Sequence, residues 1–362
     1  MRMTHFESLK PVCPHCKITH FDALPLRIAN VIHQTGDCII EGNLICSNKH
    51  CQLEFPIIDG IPIIVSHIKQ YLTDNLLQIT ARNDFSLVIE SILGDALGPE
   101  AAFNNTRHFA SSFAWDHYAD KAPDEEFGAN QPKPTTSGAV DCLNTGLALF
   151  KEKPRPPFID IGCAVGRTTF EIAEQHAALT LGIDINFWML RIAQRILREN
   201  TLSFPLKQLG IAYNRHQYQV NFKHQEHVDF WACNALALPF EDETFNFVSA
   251  LNVLDIISSP QELLLSIRNI LHNGGGAVLA TPYDWLPPVP INHWIGGHSQ
   301  RAADQGASDQ ILKQMLSDFH HPQAIEHLTL IGEVANHPWS FREHSRRTTC
   351  YHNHILACKK IY

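Results

Sequence analysis

A glycine turn constrains this chain more than any other feature. The residues Asp160-Ile-Gly162-Cys-Ala-Val-Gly166-Arg167 follow the short apolar run Phe158-Ile-Asp-Ile161 and lead into a helical pattern from Thr168 to His176. Glycine at 162 and 166 lets the backbone turn tightly and approach a ligand closely, while the first amides of the next helix face the crevice beyond the strand. The spacing Gly-x-x-x-Gly differs from the Gly-x-Gly-x-x-Gly of dinucleotide-binding turns, so a pyrophosphate cradle is poorly supported. Asp184 stands 24 positions after Asp160, at the end of the next apolar run, where a carboxylate accepts two hydrogen bonds from ribose hydroxyls. A nucleoside without a phosphate chain fits both features.

The rest of the chain from 139 onward alternates strand and helix. Ala139 to Lys151, Phe187 to Glu199 and Gln261 to Leu271 read as helices; Leu179 to Asp184, Val228 to Cys233, Phe245 to Leu251 and Gly276 to Ala280 read as strands. This spacing predicts an α/β fold, a doubly wound parallel sheet covered on both faces. Thr201 to His227 interrupts the alternation and is expected to be an inserted hairpin or active-site element. Residues 69–138 read as a helical stretch, Gln70 to Leu93, followed by a polar linker or lid rich in Pro, Gly and Ser. The sequence therefore divides into 1–68, 69–138 and 139–362.

With three later motifs, the turn and Asp184 resemble the class I S-adenosylmethionine-dependent methyltransferase family. Cys233-Asn234-Ala235-Leu-Ala-Leu238-Pro-Phe240 stands where that family usually has Gly-Asp-Ala and Leu-Pro-Phe, so Asn234 occupies the acidic position. Asn252-Val-Leu-Asp255 matches the segment after the fourth strand, and Asn273-Gly-Gly-Gly276 the turn before the fifth. The resemblance covers about residues 139–285 and implies a Rossmann-like domain binding S-adenosyl-L-methionine. It places Asp160, Gly162, Gly166 and Arg167 at the methionine part, Asp184 at the ribose, Asn234 and Ala235 at the adenine, and Asn252 at the methyl end.

Ile161-Gly-Cys-Ala-Val-Gly-Arg-Thr-Thr-Phe170, Ala280-Thr-Pro-Tyr-Asp-Trp285 and His293-Trp294-Ile-Gly-Gly297 look like the methyltransferase domain of ovothiol-synthesising enzymes, which methylates the imidazole of 4-mercaptohistidine. Pro338-Trp-Ser-Phe-Arg342-Glu343-His-Ser-Arg346 is similar to that domain's Arg-Glu segment before its last strand. These 362 residues carry no counterpart of the iron-dependent sulfoxide synthase portion of those bifunctional enzymes. Tyr283, Asp284 and His293 follow the fifth strand and are the expected catalytic residues, Asp284 or His293 as polar anchor or base, Tyr283 and Trp285 as aromatic walls. His298 is a weaker candidate, and Trp115 and Tyr118 are expected lid residues.

The first 68 residues hold five of the ten cysteines. Cys13-Pro-His-Cys16 and Cys46-Ser-Asn-Lys-His-Cys51 form two knuckle-like pairs, a ligand set suited to tetrahedral Zn2+ in a structural role, with His50 or Cys38 as a replacement for one thiolate. With the apolar run Phe55 to Val65, this part looks like the zinc-ribbon proteins that bind and activate methyltransferases, which implies a scaffolding role and a protein partner. Asp59-Gly60 reads as the turn between its last two strands.

Lys and Arg number 28 against 37 Asp and Glu, a net charge of -9 that argues against a general nucleic-acid binder. The start MRMTHFESLKPVC has no apolar core of signal-peptide length, and no apolar run reads as a membrane span, which points to a reducing, cytoplasmic setting. The expected function is N-methylation of a small imidazole or amino-acid-derived substrate. Two other readings remain open: a protein or tRNA methyltransferase presenting its substrate through the zinc domain, and a cofactor-binding regulatory module without catalysis.

Overall fold

The computed structural model describes every residue except 20–23, 83–84, 128–131, 288, 298–299 and 302–304. Its strands are β1 (Leu26–Thr35), β2 (Cys38–Cys46), β3 (Glu54–Ile58), β4 (Ile61–Ile64), β5 (Phe158–Ile161), β6 (Thr180–Asp184), β7 (Thr201–Lys207), β8 (Tyr213–Gln219), β9 (Val228–Cys233), β10 (Phe245–Leu251), β11 (Leu271–Thr281), β12 (Leu328–His344) and β13 (Arg347–Lys360). Eleven of them form one sheet in the order β1-β2-β3-β4-β9-β6-β5-β10-β11-β13-β12. The run from β4 through β9, β6, β5 and β10 to β11 is parallel, and β13 and β12 close the far edge as an antiparallel hairpin.

This is the expected Rossmann-like α/β architecture. All residues of β5 and β9 are buried, which requires helices on both sheet faces. Phe158, Phe230, Trp231 and Phe247 fill that interior. The strand order reverses between β5 and β10, and a doubly wound sheet opens its ligand crevice beyond the carboxyl ends of the strands at such a reversal. The glycine turn, Asp184, Asn234 and Asn252 all follow central strands at that end.

The cysteine-rich front is joined to this sheet. Ile63 and Ile64 of β4 pair in parallel with Ala232 and Cys233 of β9. Asp59 and Gly60 form the turn between β3 and β4, both with positive φ, +54° and +83°. The helical stretch after it is broken into Ile68–Asp74, Leu76–Thr80 and Leu87–Leu97. Part of the linker, residues 128–131, lies outside the described residues, as does His298.

The insertion is the hairpin β7–β8. It props the helix Ala102–Tyr118: the Lys207 amide donates to Ser111 Oγ at 2.8 Å, and the Tyr218 hydroxyl donates to the Tyr118 carbonyl at 3.1 Å. Among the described residues no helix is long and apolar enough to cross a membrane.

Candidate active site

Gly162 and Gly166 adopt positive φ, +71° and +83°, a region that favours glycine. Space as well as angle demands it. A Cβ on Gly162 would sit 2.4 Å from Val253 Cγ2, and one on Gly166 would sit 2.6 Å from the Phe230 ring. The amides of Gly162 and Cys163 both donate to the Ile183 carbonyl, at 2.8 and 3.0 Å, so the turn is fastened to the end of β6.

Asp184 closes that fastening. Its Oδ2 accepts the Ala164 amide at 2.9 Å and its Oδ1 the Asn186 amide at 2.8 Å. The residue is half-buried, and burial pushes its carboxyl upward while hydrogen bonds from backbone amides act against that rise. Asn186, not Asp184, caps the helix Phe187–Glu199, its side chain accepting from the Trp188 and Met189 amides. Asp184 instead joins the glycine turn to the start of that helix.

Asp160 and Arg167 lie behind the turn. Asp160 is 2% exposed and accepts hydrogen bonds from the hydroxyls of Thr168 (2.6 Å), Thr169 (2.8 Å) and Ser249 (2.7 Å). Burial pushes its carboxyl upward, and these three bonds act against that rise. Arg167 is paired with Glu171 at 2.8 Å and Asp120 at 3.1 Å. Both residues shape the turn from within the packed interior.

Around the rim, Asn234 Oδ1 accepts the Leu236 amide at 2.9 Å, with Ala235 half-buried beside it. Asn252 has a positive φ of +54°, and its Oδ1 accepts from Asn353 Nδ2 at 2.9 Å. Asp255 is 2% exposed; its Oδ2 accepts the Asp284 amide at 3.0 Å. Burial raises its carboxyl to about 6, although hydrogen bonds oppose the shift.

The three expected catalytic residues do not share one place. Tyr283, at a positive φ of +58°, reaches a cavity of about 350 Å³ beside β12 and β13 and meets His354 there, Oη to Nδ1 2.6 Å. Asp284 is exposed and is not part of the lining of that cavity. His293 is likewise exposed and outside it, with Nδ1 bonded to the Ser258 carbonyl at 2.8 Å. Trp285 stacks on Trp294 with ring centres 6.1 Å apart. His354 and its second partner, Glu333, were not among the sequence candidates. They lie on two strands of a hairpin far from any cofactor motif, and no local pattern marks them.

At the opposite end of the sheet, the sulfurs of Cys13, Cys16, Cys46 and Cys51 lie within 4.8 Å of one another. Cys16 and Cys46 are 3.7 Å apart and Cys13 and Cys51 3.9 Å. A tetrahedral Zn–S site with bonds near 2.3 Å has S···S edges of about 3.8 Å. Cys38 and His50 are not members of the cluster.

A family model described as a methyltransferase domain matches residues 141–347, more than half of the chain. The chain belongs to this methyltransferase family. It is a class I S-adenosylmethionine-dependent methyltransferase, and the match spans the glycine turn, Asp184, Asn234 and Asn252. No curated protein matches it. Among solved structures, the methyltransferase is similar to the [4+2]-cyclase SpnF, at 14% identity over 65% of this chain and 86% of that one, with a TM-score of 0.40. It is also similar to geranyl diphosphate C-methyltransferase from Streptomyces coelicolor, at 14% identity over 62% and 76% of the two chains, TM-score 0.40. Neither likeness carries a substrate to this methyltransferase.

The donor set of the crevice fits the cofactor. Asp184 offers a carboxylate suited to a ribose diol, Asn234 an amide suited to adenine edges, and Gly162 and Gly166 a turn too tight for a Cβ.

Proposed function

We propose that this methyltransferase N-methylates a small imidazole or related amino-acid derivative, with 4-mercaptohistidine as the reference substrate. The observation that carries the reading is the cavity at the carboxyl end of β11: about 350 Å³, polar, and lined by Tyr283, Ser308, Asp309, Lys313, His352 and His354 among others. Ligand sites run from about 300 to 1,000 Å³, so this volume suits a molecule of amino-acid size. Lys313 and Asp309 give it both signs of charge, as a zwitterionic acceptor requires.

Bound S-adenosylmethionine supplies a methyl group already activated on a sulfonium, so what the chain must add is position. Asp184 would hold the ribose hydroxyls, Asn234 and Ala235 would border the adenine, and the backbone of Gly162 to Gly166 would run beside the methionine part, with Asp160 and Arg167 keeping that turn in shape. Asn252 would stand at the methyl end, and Tyr283 would orient the acceptor's ring nitrogen toward the methyl group, a proximity effect.

The front of the chain, residues 1–68, is read as a zinc-ribbon-like unit in which Cys13, Cys16, Cys46 and Cys51 hold a structural zinc ion. Residues 69–138 supply the lid and 139–362 the catalytic domain. The deciding experiment is a methyl-transfer screen with 4-mercaptohistidine, L-histidine and bulk tRNA as acceptors. Transfer to the imidazoles supports the proposal, and transfer to tRNA alone overturns it.

A further inference from the structure

Four side chains from four segments meet at one edge of the acceptor cavity. His354 on β13 is 3% exposed. Its Nδ1 lies 2.6 Å from the Tyr283 hydroxyl, its Nε2 lies 2.9 Å from Glu333 Oε2 on β12, and Glu333 Oε1 lies 2.7 Å from Lys313 Nζ on the helix Ser308–Ser317. The register of β12 against β13 slips between Val334 and His337, and the two residues of that bulge, Ala335 and Asn336, line the cavity. Bulges re-aim side chains beside functional sites, and here the irregularity makes room next to the row of hydrogen bonds.

The hydrogen-bond chemistry has one consistent direction. Glu333 is ionised: burial works upward, but hydrogen bonds from Lys313 and His354 bring its carboxyl below the usual range. A carboxylate only accepts, so His354 Nε2 carries a hydrogen. In the neutral ring Nδ1 is then an acceptor, and the Tyr283 hydroxyl donates to it. The oxygen of Tyr283 keeps its lone pairs for the cavity. Burial raises the Tyr283 hydroxyl well above its ordinary value, so the phenol does not act as a base by losing its proton to water. It accepts a proton only by passing its own to a partner.

We propose that Tyr283, His354 and Glu333 form a proton relay for the methyl acceptor, with Tyr283 touching the acceptor and His354 as the positioning residue behind it. This rests on the small-acceptor reading above. In the step, the lone pair of the acceptor nitrogen forms the new N–C bond as the S–C bond to the methyl group breaks with its electrons going to sulfur. The ring N–H proton of the acceptor passes to Tyr283 Oη while the Tyr283 proton passes to His354 Nδ1. The resulting imidazolium keeps its Nε2–H on Glu333, and Lys313 fixes that carboxylate from its other oxygen. After product leaves, His354 returns the proton through Tyr283 to water. Besides His354, the titratable groups lining this part of the cavity are Tyr283 from the loop after β11, Glu333 and His352 from the sheet, and Asp309 and Lys313 from the helix.

Two measurements on the full chain test the relay. The first is independent of the acceptor: 15N spectra of the histidine rings, with His354 assigned by substitution. The expected result is the Nε2–H tautomer, with the Nδ1 signal displaced in Tyr283→Phe; an Nδ1–H tautomer overturns the relay. The second is steady-state methyl transfer to 4-mercaptohistidine, read separately as kcat and KM. Tyr283→Phe is expected to lower kcat about 100-fold, the size of a lost acid–base group, with KM within about threefold. Glu333→Gln lowers kcat about tenfold, because His354 Nε2 loses the carboxylate that accepts its hydrogen. A Glu333→Gln or Tyr283→Phe enzyme with wild-type kcat overturns the proposal. If the wild-type chain transfers nothing to 4-mercaptohistidine, the substrate reading fails by itself and the tautomer decides the relay.

Discussion

The Tyr118 hydroxyl donates to the Val165 carbonyl at 2.8 Å, which ties the end of the helix Ala102–Tyr118 to the middle of the glycine turn. Two residues on, Asp120 pairs with Arg167 at 3.1 Å, so this segment is fastened to both sides of Gly166. Both Tyr118 and the carbonyl it meets are buried. Tyr118→Phe leaves that carbonyl without its partner and is expected to destabilise the fold by about 1–3 kcal/mol. Affinity for S-adenosylhomocysteine should fall several-fold, because the turn loses a constraint. Thermal denaturation and calorimetry read the two effects, and a variant that melts and binds like the wild type would remove Tyr118 from the site.

Gly162→Ala combines two penalties at one position. The backbone is in the left-handed region, and the new methyl group meets Val253 Cγ2 at 2.4 Å. Strain at such an angle costs on the order of 1–3 kcal/mol, before the overlap with Val253 is counted. The double variant Gly162→Ala/Val253→Ala is expected to recover the part due to overlap and none of the part due to φ. Equal stability of the single and double variants would show that the neighbouring valine does not hold the turn.

Asp116 makes stability depend on pH. Both of its oxygens accept from Trp339 Nε1 at 3.0 Å, and burial raises its carboxyl to about 7 despite that bond. Its folded value lies above the unfolded one of about 3.9, so its stabilisation is complete below pH 4 and is lost as pH rises through about 7. His117 runs the other way: burial lowers it to about 3, below an unfolded value near 6.5, so its share is complete above that and is lost on acidification. The two slopes oppose each other between roughly pH 4 and 6.5. Asp116→Asn removes one of them. Denaturant titrations should therefore show the variant gaining on the wild type with rising pH, by at most about 1.4 kcal/mol per unit up to pH 7. A pH-independent difference would mean that Asp116 is ionised throughout.

Much of the central sheet was legible because its signals are local. Phe158–Ile161, Val228–Cys233 and Phe245–Leu251 are strands over the residues their apolar runs span, and the helix Phe187–Glu199 begins and ends where its pattern does. The β11 strand extends beyond its expected start to Leu271, since glycines 274–276 carry no side chains to mark it. The cofactor motifs lie within a few residues of one strand end each. The acceptor cavity was harder to read, since Tyr283, Glu333 and His354 come from a loop and two strands brought together only by pairing of β12 and β13. The raised carboxyl of buried Asp255 was hidden for a different reason: one of its hydrogen bonds comes from the Asp284 amide, 29 residues away. The union of β4 with β9 had one cue, the run Ile61–Ile64, which is buried at every position as an interior strand is.

That union gives the cysteine cluster a consequence for the whole domain. The β4 strand leads back through β3 and β2 to Cys46, while β9, its parallel neighbour, ends at Cys233 immediately before Asn234 and Ala235. A metal held by Cys13, Cys16, Cys46 and Cys51 would therefore stabilise the strands that lead to Asn234 and Ala235. One zinc ion per chain is expected by elemental analysis, and Cys46→Ser should lose most of it. Because metal binding at such sites is coupled to folding, a strong chelator should lower Tm of the full chain by many degrees in one cooperative transition and weaken S-adenosylhomocysteine binding with it. A separate low-temperature transition that leaves cofactor affinity unchanged would show that the front folds as an independent unit.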